Sequence, residues 1–191
     1  MVMRLESERL CLRRFALEDA EPLLDLRIRN LRFTKPFEPR RMDSYFTLDG
    51  QKEVIETGLW NWEEATGFMF GIFLRADDPR IDETLVGHIN LSNVVRGAWE
   101  NCTIGYFLDK THNGKGLATE AVGLAVQFAF TTAGLHRIQG AVMPRNAASI
   151  RVLEKSGFRR EGFSPRYLRI DGRWEDHFLY AVTSEEWGER T

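Results

Sequence analysis

The chain has 191 residues, and its 26 lysines and arginines nearly balance its 28 aspartates and glutamates, giving a formal net charge of −2 with histidine neutral. This balance argues against a general nucleic-acid binder, whose basic surface normally shows in the total charge. With 43% hydrophobic residues the chain can bury a sizeable core, so intrinsic disorder is excluded and one domain spanning residues 1–191 is predicted.

The first third of the chain predicts one strand and two helices. Alternating leucines predict a half-exposed strand over residues 5–15, and helical spacing of apolar residues predicts a helix over residues 18–29. Two prolines interrupt residues 32–46, which we expect to be irregular. Thr47 is placed to cap a second helix over residues 48–65.

The rest of the chain predicts a mixed sheet with two more helices. Apolar runs at 68–74, 85–91 and 103–108 predict an antiparallel meander, with turns at Asp77-Asp78-Pro79 and Arg96-Gly97. A helix from Gly116 to near Gly134, a strand over 136–143 and a helix over 146–156 follow. Asp171-Gly172 predicts a hairpin between strands 163–170 and 173–182. The class is therefore α/β, in the order βααβββαβαββ.

The cysteines and the hydropathy pattern bear on the compartment. Cys11 and Cys102 are far apart and lack CxxC or histidine-rich spacing, so we predict two buried thiols and neither a disulfide nor a metal site. Residues 1–6 carry charges where a signal peptide needs an apolar run, and no stretch approaches 18 apolar residues. We therefore expect a cytoplasmic protein that binds neither membranes nor nucleic acid.

Residues 104–121 carry the strongest chemical signal: a strand, a glycine-containing loop and a helix. Two glycines permit close backbone approach, and the free N–H groups of the first helical turn suit a pyrophosphate. A Walker A loop is excluded, because Asp109 and Gly116 stand where that motif needs glycine and Ser/Thr. A dinucleotide fingerprint fits poorly, because Thr119 and His136 occupy positions that would need a glycine or alanine and an acidic residue.

The loop sequence Asn-Gly-Lys-Gly-Leu-Ala at residues 113–118 resembles the motif Gln/Arg-x-x-Gly-x-Gly/Ala of the Gcn5-related N-acetyltransferases (GNAT). It departs at the first position, where Asn113 should weaken one side-chain contact without removing the site. Residues 146–162 resemble the family's coenzyme-proximal helix, and residues 143–146 and 157–158 fall at the family's spacing. Residues 167–177 resemble the closing hairpin of its ribosomal-protein-alanine acetyltransferase (RimJ/RimL-like) branch. Residues 10–13 and 104–106 also match the family, so the resemblance covers nearly the whole chain.

This resemblance implies a GNAT fold, whose mostly antiparallel sheet of about seven strands splays between strands 4 and 5, and acetyl-coenzyme A as cosubstrate. A backbone N–H between Tyr106 and Leu108 would meet the thioester oxygen. Basic residues at Lys115, Arg145, Arg151 and Lys155 are placed to meet phosphates. The coenzyme-binding residues implied are Phe107, Leu108, Asn113, Gly114, Lys115, Gly116, Leu117, Ala118, Thr119, Asn146 and Ser149.

The resemblance also suggests catalytic roles. Ser149 would protonate the departing thiolate, with Tyr106 as the second candidate, although a capping serine and a core tyrosine are the plain alternatives. The hairpin lacks the glutamate that some relatives use as general base, which leaves Glu100, His177 or a water chain. Neither cysteine has a recognisable histidine partner, which favours direct transfer over an acyl-enzyme.

The acceptor is the least specified part of the prediction. The resemblance suggests a protein N-terminal α-amino group, such as a ribosomal alanine, with residues 30–46 and the Asp171-Gly172 hairpin lining the pocket. A polyamine, an amino acid or an antibiotic is the alternative acceptor. A non-catalytic acyl-coenzyme A sensor and a dinucleotide oxidoreductase are the alternatives outside this enzyme class, and a homodimer is compatible with the sequence.

Overall fold

A computed structural model describes residues 3–75 and 83–189, which form one sheet with helices on both faces. The strands are β1 (Arg4–Glu6), β2 (Leu10–Arg14), β3 (Phe68–Leu74), β4 (Thr84–Val95), β5 (Asn101–Leu108), β6 (Arg137–Val142), β7 (Arg159–Ile170) and β8 (Arg173–Thr183). The helices are α1 (Ala20–Thr34), α2 (Leu48–Glu63), α3 (Leu117–Thr131), α4 (Ala147–Lys155) and α5 (Ser184–Gly188). The strand order is β1-β2-β3-β4-β5-β6-β8-β7.

The predicted strand over residues 5–15 is two strands, so the described residues form eight strands instead of about seven. Ser7 turns the chain, because its N–H donates to the carbonyl of Leu10 at 3.0 Å, and β1 then pairs antiparallel with β2. Leu5 and Leu12 are cross-strand partners and lie on the same face. The apolar alternation therefore continues through the turn, so the periodicity of the sequence could not reveal that the strand is interrupted there.

Other predicted boundaries move by a few residues. Helix α1 continues to Thr34, so the irregular segment begins later than predicted and contains two 3₁₀ turns, Lys35–Phe37 and Asp43–Phe46. The last hairpin begins at Arg159, before the predicted residue 163. The meander of β3, β4 and β5 is confirmed, and the turn predicted at Asp77-Asp78-Pro79 lies outside the described residues.

Two apolar layers hold the helices to the sheet. Helix α3 places Val122, Ala125 and Phe128 against one face, where α4 also packs. Helix α1 covers the other face with Leu23 and Leu26. Burying a leucine or phenylalanine side chain contributes roughly 1.5–3 kcal/mol, so these contacts fix the position of both helices relative to the strands.

Both cysteines are buried, as predicted. Burial raises the pKa of Cys11 to about 11 and that of Cys102 to about 12, so both thiols stay protonated near neutral pH. Across residues 3–75 and 83–189, no helix has the length and apolar character needed to span a membrane. In the same ranges, no three His, Cys, Asp or Glu side chains are grouped so that they could hold a metal ion.

Candidate active site

The sheet splits between β5 and β6. Their parallel ladder joins only residues 101–103 to residues 137–139, while β5 stays paired with β4 as far as Leu108 and β6 with β8 as far as Val142. The splay predicted between strands 4 and 5 is confirmed. Because the structure has one additional strand at the amino terminus, these two strands are β5 and β6. Alternate backbone N–H and C=O groups of residues 104–108 face the gap, where an extended ligand can continue the ladder.

A cleft of about 400 Å³ occupies this gap. The predicted site residues that line it are Tyr106, Phe107, Leu108, Asn113, Ala118, Asn146, Ser149 and His177. Gly114, Lys115 and Gly116 form the adjoining loop, and Leu117 and Thr119 belong to the first turn of α3. The side chain of Leu117 is buried in the core, so only its backbone can contact a ligand.

The loop before α3 has the backbone geometry of an anion site. Gly114 and Gly116 have φ values of 77° and 80°, in the left-handed region that favours glycine. No side chain caps the amino terminus of α3, so the N–H groups of its first turn are free to bind an anion. An added Cβ at Gly114 would meet nothing within 4 Å, which shows that the space beside this part of the loop is open.

Helix α1 holds the loop from the protein side. The carboxylate of Asp109 accepts hydrogen bonds from the N–H of Thr111 at 3.0 Å and from Nε of Arg29 at 2.6 Å. Burial alone would raise the pKa of Asp109, but these bonds outweigh it and lower the pKa to about 2. The side chain of Asn30, fully buried on α1, accepts a hydrogen bond from the N–H of Lys110 at 3.0 Å. The sequence analysis missed Asn30 because its contact is 80 residues away along the chain.

The turn between β1 and β2 supports the same loop. Arg9 donates from Nη1 to the carbonyl of Lys115 at 3.0 Å, and its guanidinium pairs with Glu120 in the first turn of α3. A hydrogen bond from Ser7 also reaches Glu120. The loop is therefore held on two sides, while its N–H groups remain directed outward.

Two hydroxyl groups meet inside the split. The hydroxyls of Tyr106 on β5 and Ser149 on α4 are 2.9 Å apart. Burial raises the pKa of Tyr106 to about 12, against a smaller lowering by Ser149, so its hydroxyl stays protonated near neutral pH. Asn146 caps α4 by accepting the N–H of Ser149 at 3.2 Å, which leaves the Ser149 hydroxyl to pair with Tyr106.

His177 is buried on the opposite side of the sheet from this hydroxyl pair. Its Nδ1 donates to the carbonyl of Glu175 at 2.9 Å, so Nε2 is left as a proton acceptor. Side chains alternate along β8, and Tyr180 contacts Glu154 of α4, so His177 lies on the α1 side of the sheet. Asp176 does not orient His177, because its carboxylate accepts the N–H of Arg166 instead.

The structure does not bring Glu100 to the cleft, so the geometry gives no support to its predicted role as general base. Its carboxylate accepts hydrogen bonds from the N–H of Gly97 at 3.1 Å and from Arg96 at 3.3 Å. These contacts stabilise the turn before β5, at the end of the strand remote from the glycine loop. Turn residues and catalytic carboxylates share the same residue types, so the sequence could not separate the two roles.

The α1 side of the cleft contains charged residues that the sequence analysis did not identify. Arg27 is buried, pairs with Glu38 at 2.9 Å and lies over the ring of Phe107. Its Nη2 approaches His88 of β4 to within 3.4 Å. Burial, with added repulsion from Arg27 and Arg41, holds the pKa of His88 well below its usual range. A titratable side chain within the predicted strand over residues 85–91 was the available signal.

A bridge joins the segment before α2 to the last hairpin on this same side. The N–H of Asp171, at the tip of the last hairpin, donates to the carbonyl of Glu38 at 3.1 Å, and Arg40 pairs with the Asp171 side chain. Arg145 pairs with Glu175 and donates to the carbonyl of Pro36, so it is engaged here instead of lying free to meet a phosphate as predicted. The segment over residues 30–46 lines the cleft through Phe33 and Phe37, as expected.

A sheet split beside an uncapped glycine loop, with paired hydroxyls inside the split, is the arrangement of an acyltransferase that uses a coenzyme thioester. The chain belongs to the GNAT family of N-acetyltransferases, because the family model described as Acetyltransferase (GNAT) domain matches residues 9–159.

Individual relatives resemble nearly the whole chain. The chain is 42% identical to the probable N-acetyltransferase YjcK of Bacillus subtilis, over 95% of this chain and 98% of that protein. It is 37% identical to the [ribosomal protein uS5]-alanine N-acetyltransferase of Escherichia coli, over 97% of this chain and 93% of that protein. The solved structure of Mycobacterium smegmatis RimJ in complex with CoA-disulfide matches with a TM-score of 0.87 and 31% identity, over 97% of this chain and 88% of that chain.

Proposed function

We propose that the protein transfers the acetyl group of acetyl-coenzyme A to the α-amino group at the amino terminus of a protein, with a ribosomal protein as the acceptor. The observation that carries this proposal is the extent of the cleft. It shares Arg41 and Asn90 with a second cavity of about 500 Å³, so the combined space suits a peptide better than a small amine. The identity to the uS5-alanine acetyltransferase supports the same acceptor class.

Acetyl-coenzyme A is consumed as a substrate, and the chain offers a surface for each of its parts. The N–H groups of the loop over residues 113–119 would bind the pyrophosphate, and the open edge of β5 would pair with the pantetheine amides. A backbone N–H between Tyr106 and Leu108 would stabilise the developing oxyanion. A preorganised donor of this kind is worth roughly 3–4 kcal/mol.

Proton transfer would use the two faces of the split. On the α1 side, Nε2 of His177 would accept the proton released by the attacking amine. On the α4 side, the hydroxyls of Tyr106 and Ser149 would stabilise and protonate the departing thiolate. Both thiols of the chain are buried and protonated, which supports direct transfer without an acyl-enzyme.

The role of His177 predicts a pH-dependent defect. We expect His177→Gln to lower kcat/KM by roughly 100-fold at pH 6.5 and only a few-fold at pH 9, because an α-amino group with a pKa of about 7.7–8.0 is then mostly neutral. Initial rates from pH 6 to 9.5 measure this, with His136→Gln as the control, since His136 is exposed and pairs with Glu185 away from the cleft. A defect of equal size at every pH would contradict the role.

The acceptor class can be tested by thiol release from acetyl-coenzyme A. We expect turnover with ribosomal proteins and with peptides that begin with alanine, and kcat/KM for spermidine, free amino acids and aminoglycosides lower by at least ~100-fold. The same peptides with blocked amino termini control for acetylation of lysine. Faster turnover of any small amine would replace the proposed acceptor, and coenzyme binding without thiol release for every acceptor would indicate a sensor.

A further inference from the structure

The second cavity offers a recognition site beyond the acetylated amine. It lies between α2 and strands β3 and β4, and its lining includes Val54, Gly58 and Met69. Of the residues in the described part of the chain, only Arg41 and Asn90 line both this cavity and the cleft. A peptide whose amine lies at the split would therefore pass between these two side chains.

Charged side chains of both signs line the spaces around this junction: Arg40, Arg41 and Glu53 in the second cavity, and Arg27, Arg41 and Glu38 in the cleft. Glu38, the only carboxylate among the described residues that line the cleft, is paired with the buried Arg27. Asp171, which lines a third cavity of about 280 Å³, is paired with Arg40. Arg41 lines all three cavities, and within the described residues no carboxylate forms an ion pair with it. Among the described residues, its cation therefore has no anionic partner where the three spaces meet.

Arg41 is also held in place. Its guanidinium lies 4.9 Å from the ring centre of Tyr45, a cation–π contact that keeps it at the junction. It is close enough to His88 to help keep that imidazole uncharged. A guanidinium in this position offers several N–H donors to a carboxylate, and it repels an incoming ammonium group.

We propose that the second cavity is the subsite for the residues that follow the acetylated amine, and that Arg41 selects an acidic side chain at the junction with the cleft, which Glu53 does not line. The inference rests on the proposed function, since it requires a peptide acceptor. The acceptor class becomes protein amino termini with Asp or Glu within the first residues after the acetylated one. Polyamines and termini rich in lysine would be disfavoured by the same cation.

Matched peptides test the subsite. For Ala-Asp, Ala-Asn and Ala-Lys peptides of otherwise identical sequence, we expect the wild type to favour Asp over Asn by ~10-fold in kcat/KM, as for a charge-assisted hydrogen bond. Arg41→Glu should reverse the order and favour Lys. Arg32→Glu is the control, since Arg32 is an exposed residue of α1 that lines none of the three cavities. The Asp preference should shrink as ionic strength rises.

Binding supplies a readout that does not depend on turnover. Titration calorimetry with the N-acetylated product peptides and coenzyme A should show the same ~10-fold preference for Asp and the same reversal in Arg41→Glu. Equal kcat/KM and equal dissociation constants for the three peptides would contradict the proposed subsite, as would a preference that Arg41→Glu leaves unchanged. Either result would leave the proposed function intact. If the wild type acetylates no peptide or protein amino terminus, the result contradicts the proposed function itself, and the subsite proposal falls with it.

Discussion

Gly116→Asp is expected to abolish measurable coenzyme A binding. Residue 116 has a left-handed backbone at the uncapped amino terminus of α3, where the pyrophosphate would lie. Aspartate there places a negative charge against a phosphate and strains the backbone by about 1–2 kcal/mol. Titration calorimetry with coenzyme A, together with thermal melting with and without the ligand, measures the loss.

Two control variants separate charge from backbone strain. Gly116→Ala carries the same left-handed strain without the charge, so we expect weakened binding that can still be measured. Gly123→Asp adds the same charge in the middle of α3, where an added Cβ meets nothing within 4 Å, and should retain affinity. Normal coenzyme binding by folded Gly116→Asp would show that the loop does not hold the pyrophosphate. The same melting assay with NAD tests the oxidoreductase alternative.

Ser149→Ala and Tyr106→Phe are each expected to lower kcat by roughly 100-fold while leaving coenzyme A affinity nearly unchanged, the usual scale for loss of a positioned proton donor. Their hydroxyls are 2.9 Å apart and would act on the same leaving group. The double variant should therefore be only slightly worse than either single variant, because effects of residues that act together do not multiply.

The geometry also provides the control for this prediction. Ser149→Ala keeps the cap of α4, because Asn146 accepts the backbone N–H of residue 149 and not its hydroxyl. Ser156→Ala makes the same change at the other end of α4, where the buried hydroxyl has no hydrogen-bond partner among the described residues, and should leave kcat unchanged. Unchanged turnover in Ser149→Ala would remove its assigned role as proton donor.

Much of the fold could be predicted because each element carries its own local pattern. The glycine loop before α3, the Asp171-Gly172 turn and the meander of β3, β4 and β5 all depend on near neighbours in sequence. The turn at Ser7 was missed because it preserves the apolar alternation of the strands around it. Local patterns thus identified α1 to α4 and most strands; they missed the short α5 (Ser184–Gly188) and failed where two structures share one pattern.

The site was harder to predict, because its residues come together from distant parts of the chain. Asn146 and Ser149 lie one helical turn apart, so their shared position could be anticipated. The contacts of Asn30 with Lys110 and of Arg27 with His88 span 80 and 61 residues, and no spacing rule indicates them. Glu100 shows the opposite case, since this acidic residue beside a central strand forms its hydrogen bonds within a local turn.

The contact between Glu38 and Asp171 joins the segment before α2 to the tip of the last hairpin. Since Glu38 also lines the cleft, breaking this contact would free one wall of the cleft to move. The width of the cleft on the α1 side therefore depends on a single backbone hydrogen bond and on the ion pair between Arg40 and Asp171.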